Sequence, residues 1–282
     1  MLRTALPHLA AWTHRLRDVA LPVLPRTAEE LALLRQVEDA HGNVDARLVA
    51  EAIGGDPLMT LKVLSHVARH RPSALVTDAE TVRAAVMVMG IGPFFHHLGD
   101  PVTIDQHLAD HPDALAGLTR VLTRSRRAAR FALGFAVHRM DNDVDVVHEA
   151  ALLHDFAEML LWCHAPLLAI EIEQRLLADA TRRSADVQRE VLNIELADLE
   201  QALMRAWRLP ELLIRITDNR AQGRAAEHHQ VRMVRLAVQL ARHTQNGWDN
   251  AALPDDVAEI AQVLTMSVEA TQRLLVDLDR DD

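Results

Sequence analysis

Apolar residues in this chain recur at three- and four-residue intervals, the spacing of one face of an α-helix. Strict apolar–polar alternation, the mark of a half-buried strand, is nearly absent. Thr27-Ala28-Glu29-Glu30 reads as a capping box, with the Thr oxygen on an orphan amide and Glu30 reaching back. Leu31 and Leu34 follow at helical spacing, with Leu33 and Val37 beside them. Asp45 is placed to cap a short helix ending near Gly54-Gly55. Asp56-Pro57 opens the next, since proline suits a first helical turn, and Leu58, Leu61, Val63, Leu64 and Val67 form its apolar face. Asp78 reads as the cap of a helix bearing Val82, Ala85, Val86 and Met89. One long pattern runs from Pro112 to Met140, with Leu115, Leu118, Leu122, Ala129 and Leu133. Further helices are predicted over 146–163, 166–182 and 185–207, from Leu209-Pro210-Glu211, and over 228–243 and 255–278. Leu152, Leu153, Phe156, Leu160, Leu199, Leu203 and Trp207 are the predicted core.

Composition agrees. The 282 residues include 10 Gly, 11 Pro and no Tyr, with 3% aromatics, which argues against a turn-rich β fold and for an all-α one. The net charge of −10 predicts a surface that repels nucleic acid and anionic membrane, so neither is an expected partner. Cys163 is the only cysteine, so no intramolecular disulfide can form. With no signal-like start and no long uncharged apolar run, a reducing, cytoplasmic setting is expected. Lys62, the only lysine, is read as a compositional bias without a role.

Several residues are candidates for chemistry. His66 with His70, and His107 with His111, have the i,i+4 spacing that can hold a metal from one helix face. No Glu stands between them as general base, so they read as surface histidines. His96-His97 and His228-His229 read the same way, because helix neighbours point about 100° apart. Asp141, Asp143 and Asp145 look like the start of a calcium loop, but Val146 and Leu152 hold the positions that need Gly and Glu. They read as an acidic loop capping the following helix. Cys163 reads as a small buried hydrophobe. No glycine-rich phosphate loop occurs. Arg120, Arg124 and Arg127 lie at i, i+4 and i+7, with Arg126 and Arg130 beside them. That row reads as a solvated helix face; binding of a phosphate, a cyclic nucleotide or an acidic partner is the alternative.

Five segments, in order, resemble the HDOD family, the HD-related output domain of bacterial signalling proteins. Leu21-Pro22-Val23-Leu24-Pro25 looks like its LPxLP entry. Asp56-Pro57-Leu58 through Leu64 is similar to its DPxLxxxLL helix, and Thr81 through Gly90 to its Ser-Ile-x-x-Ala-x-x-x-Leu-Gly helix. Ala151-Leu152-Leu153-His154-Asp155-Phe156 through Leu161 is close to its LLHDIGxLLL segment, and Trp207-Arg208-Leu209-Pro210-Glu211 matches its Trp-x-Leu-Pro-Glu. The resemblance covers roughly residues 20–245. It implies an all-α fold: an extension over 1–20, an N-terminal helical subdomain over 21–111, and an HD-like helical bundle with C-terminal helices over 112–282.

The departures shape the expected function. Catalytic HD phosphohydrolases hold a divalent metal with ligands from separate helices and an open position for water. Here His154-Asp155 is retained, but the family's first His falls on Arg124, or on Ser125 in the adjacent register. A further His falls on Leu196, and a His-His pair on Asn219-Arg220 or Arg220-Ala221. The resemblance therefore implies no metal, no cofactor and no catalytic residue, with His154 and Asp155 kept for packing and hydrogen bonding. Arg124 is placed to pair with Asp155, its fixed charge standing in for the missing cation; the alternative is that Arg124 points to solvent with Arg120 and Arg127 while Asp155 binds backbone amides or water. The expected role is a non-catalytic signalling module acting through a protein partner or a small ligand, with its input from a separate protein. The alternative is a metal-dependent phosphohydrolase acting on a nucleotide or cyclic dinucleotide.

Overall fold

Prolines and short polar side chains decide where the helices start. The computed structural model describes residues 1–70, 79–179, 181–218 and 229–280. Among them the fold is all-α, and the one β-type pairing is an isolated parallel bridge between Val23 and Thr103. The N-terminal half carries α1 (Leu9–Leu16), α2 (Pro25–His41), α3 (Ala46–Ile53), α4 (Pro57–His70), α5 (Val82–Met89), α6 (Ile91–Leu98) and α7 (Ile104–His107). The long α8 (Pro112–His138) follows, then α9 (Val144–Leu153), α10 (Phe156–His164), α11 (Pro166–Ala178), α12 (Ser184–Leu192) and α13 (Leu196–Ala206). The chain closes with α14 (Glu211–Ile216), α15 (His229–His243), α16 (Leu253–Leu264) and α17 (Val268–Arg280).

Two expected caps hold and two differ. Asp45 accepts the Leu48 N–H at 2.9 Å, and Asp56 accepts the N–H groups of Leu58 and Met59 at 3.0 Å each. The capping box at Thr27 does not form, because Pro25 already starts α2 with its preset φ. Thr27 is instead buried and bonds to Asp56. Thr81 caps α5 through the Ala84 N–H, while Asp78 lies outside the described residues. The predicted 185–207 helix is two helices, since Asn193 takes a left-handed conformation with φ 63°. Asn is one of the few residues that tolerate it.

The chain packs as two compact units: Met1–Leu122 with Asp155–Pro210, and Thr123–His154 with Glu211–Asp282. These differ from the boundaries at 20/21 and 111/112 drawn from sequence, because packing follows contacts that the family motifs do not encode. Residues 1–20 belong to the first unit's core. Trp12 is fully buried against α13 and donates its indole N–H to the Leu192 carbonyl at 2.9 Å. Trp207 donates to the Arg17 carbonyl at 2.6 Å and lies beside Phe156.

Asp56 ties the LPxLP-like segment to α4. Its other oxygen accepts the Leu24 N–H at 2.7 Å. Burial pushes its carboxyl above the ordinary carboxylate range, against the lowering pull of these hydrogen bonds. Lys62, six residues on, is half-buried and donates to the Leu21 carbonyl at 3.3 Å, so the lone lysine also fastens that segment. In the second unit α15 packs on α9 and α16, and α16 on α17. All seven predicted core residues are buried. Leu133 is not: α8 buries Phe131, Ala132, Phe135 and Ala136 instead.

Candidate functional site

The predicted 146–163 helix breaks at the dyad. His154 is the C-cap of α9, and Asp155 is the residue before α10, with φ −109° and ψ 21°. The Asp155 carbonyl accepts the first amides of α10, from Glu158 at 3.1 Å and Met159 at 3.2 Å. Both side chains are buried, at 5% and 7% exposure. The partition into units falls between them, His154 closing a segment of the second and Asp155 opening a segment of the first.

Position 125 has a clear structural use. Ser125 is buried and donates its hydroxyl to the Leu152 carbonyl at 2.8 Å. That carbonyl is in the last turn of α9, where the helix supplies no partner. The hydroxyl is therefore committed to holding the end of α9 beside His154. Arg124 falls in the second unit and Asp155 in the first. Leu196 is buried at the start of α13, and residues 219–221 lie outside the described residues. Among the described residues, no group of three or more His, Cys, Asp or Glu side chains is arranged to hold a metal ion. With a cationic guanidinium at 124 and a committed hydroxyl at 125, the side chains at these positions do not fit a divalent-metal centre of the HD kind.

The arginine row divides by partner. Arg120 pairs with Glu173 of α11. Arg127 binds Asp279 of α17 through Nε and a terminal nitrogen, and also bonds the Thr244 carbonyl and hydroxyl at 3.0 and 2.8 Å. Burial works against ionisation of Asp279, yet the Arg127 guanidinium and the Trp248 N–H hold its carboxyl below the ordinary range. An anion arriving at Arg127 would have to displace that carboxylate.

The histidines group in ways that their chain spacing does not show. His66 stacks on His70 at 4.3 Å between centroids, and His97 of α6 stands 5.3 Å from His66. Burial first, then the neighbouring His70, His97 and Arg69, push His66 down to about 4, which keeps it neutral near pH 7. His107 is not paired with His111, because α7 ends at His107. Its ring meets His164 instead, with centroids 5.1 Å apart. Burial chiefly pushes His164 down to about 4, and its Nε2 donates to the Ala20 carbonyl at 3.0 Å. His164 had no signal in the sequence. His228 lies outside the described residues, whereas His229 bonds Asp141.

The acidic loop does not cap α9 with a side chain: Asp143 is the residue before it and makes no such bond. Asp141 accepts the Asp143 N–H at 2.9 Å, and the Gln230 amide bridges Asp141 and Asp143 at 3.0 and 2.9 Å. The loop thus anchors the start of α15. Cys163 is buried and its thiol is pushed up to about 12 by burial, leaving no thiolate for chemistry.

Comparison with known proteins agrees with the all-α fold. A family model described as the HDOD domain matches residues 21–222. No curated protein matches. Among solved structures, the MmoQ response regulator from Methylococcus capsulatus strain Bath is 21% identical, with a TM-score of 0.66 over 92% of this chain and 99% of that one. A virulence factor from Campylobacter jejuni is 18% identical, with a TM-score of 0.66 over 96% of this chain and 95% of that one. At these identities the likeness is one of fold.

Proposed function

Because this chain belongs to the HDOD family, we propose that it is a non-catalytic regulatory module of signal transduction, acting by binding a protein partner or a small ligand. The observation that carries this reading is the Ser125–Leu152 hydrogen bond, beside an arginine at 124. Hydrolysis on an HD centre needs metal ligands on the helix that carries these residues. Here one of the two positions carries a fixed positive charge and the other spends its hydroxyl on the backbone. In this reading His154 and Asp155 are buried residues of the turn from α9 to α10 and do no chemistry.

Metal analysis of the purified chain, paired with a phosphodiesterase assay on a cyclic dinucleotide, tests this directly. The expected result is no turnover above a chelated control, together with specific recovery of a signalling protein in pull-down. Stoichiometric divalent metal, with turnover abolished both by chelator and by Asp155→Ala, would establish the phosphohydrolase instead.

A further inference from the structure

A cavity of about 500 Å³ lies wholly within the first unit, at the corner where α7 runs into α8 and α10 into α11. That volume is within the usual range for small-molecule sites. Arg3, His107, Asp110 and His111 supply its polar wall, and Leu2 and Leu167 its apolar one. The N-terminal arm is fixed across it by a hydrogen bond from the Leu2 N–H to the His164 carbonyl at 2.7 Å. His107 is fixed as well: its Nε2 bonds the Cys163 carbonyl at 3.0 Å, so that nitrogen carries the proton.

Charge and shape narrow the ligand. Arg3 and Asp110 are both exposed on the cavity and offset one another in net charge, and Met1 brings the positively charged amino group to the same wall. The helix that starts in the wall adds to this positive balance. Pro166 and Leu167 line the cavity and are the first residues of α11, whose start has no side-chain cap and no acidic residue in its first turn. The Leu167 N–H has no partner within the helix, and the helix end carries roughly half a positive charge. At the other corner Asp113, in the first turn of α8, already offsets that helix end. The surplus is positive and suits an anion. A guanidinium binds a carboxylate through two parallel hydrogen bonds. The leucines and Pro166 provide the surface for an apolar body.

We infer that this cavity is a binding site for an apolar monocarboxylate, with Arg3 and the start of α11 on the carboxylate and Leu2 and Leu167 on the body. The site goes beyond the regulatory reading and stands or falls separately from it. The test is isothermal titration calorimetry of the full chain with hexanoate, against acetate, hexanol and hexyl phosphate. Hexanoate is expected to saturate at one per chain. Acetate and hexanol, each lacking half of the recognition, are expected to bind at least about tenfold more weakly. Arg3→Gln and Leu167→Asp are each expected to weaken hexanoate by about tenfold or more, with unchanged thermal melting, whereas Arg47→Gln, an exposed residue of α3, leaves binding intact. Absence of saturable hexanoate binding would overturn the site, as would affinity unmoved by both cavity variants. Tighter binding of hexyl phosphate would overturn the carboxylate assignment.

Discussion

The guanidinium of Arg127 grips the carboxylate of Asp279 with two hydrogen bonds, 2.8 and 2.9 Å, across 152 residues of chain. Both side chains are mostly buried, at 13% and 16% exposure. Through Thr244 and Trp248 the pair joins α8 and α17 to the end of α15. A residue that reads in sequence as part of a solvated basic stripe is a polar fastening within the second unit.

Arg127→Ala should therefore destabilise the second unit by about 2–4 kcal/mol, because it removes two charge-assisted hydrogen bonds from a largely buried carboxylate and leaves it mainly the Trp248 N–H. Arg127→Lys should recover only part, lacking the planar fork. Asp279 has a folded-state pKa below its unfolded value. Its contribution is therefore full above the ordinary carboxylate range and is lost as pH falls through the depressed folded value. Thermal melts between neutral and strongly acid pH should show a steeper acid loss in wild type than in Asp279→Asn; equal slopes would refute it.

Gly117 and Gly134 on α8 should respond differently to alanine. A Cβ at 117 would lie 2.4 to 2.6 Å from three ring atoms of buried Trp162, whose indole has little room to retreat. Gly117→Ala should cost about 1–3 kcal/mol of overpacking, more than the roughly 1 kcal/mol of helix propensity it gains. A Cβ at 134 meets the tip of Leu278, which can change rotamer. Gly134→Ala should lower the melting temperature less than Gly117→Ala, and the reverse order would refute this account.

The pairing of Arg124 with Asp155 expected from sequence is a matter for a double-mutant cycle in solution. A coupling energy of about 1 kcal/mol or more between Arg124→Ala and Asp155→Ala is the expected outcome. Additive effects would remove the idea that the arginine stands in for a metal.

Periodicity was enough to identify the core, because helix burial is written in local spacing: Leu153, Leu160, Leu199 and Leu203 are all fully buried. Helix breaks were less legible. The apolar pattern runs through His154-Asp155 and through Asn193, and only the backbone conformation at those residues ends the helices. The Thr27 capping box lost to a proline two residues earlier, a competition between two valid start signals. Among candidate site residues, the His66–His97 approach joins positions 31 apart in the chain, and His107 meets His164 across 57. Such meetings arise from tertiary packing and leave no mark in residue spacing.

The division of the chain into units has a consequence for how the protein is made. Each unit is assembled from two separated stretches, so neither is complete when its first stretch leaves the ribosome. Residues 1–122 lack the partners of Trp12 and Arg17 until 192 and 207 have been synthesised. Arg127 waits for Asp279, near the end of the described chain. Closing such long loops carries an entropic cost before any contact rewards it, so folding here is expected to be late and slow for a helical protein. A fragment cut at 111/112 would therefore carry an exposed half-core.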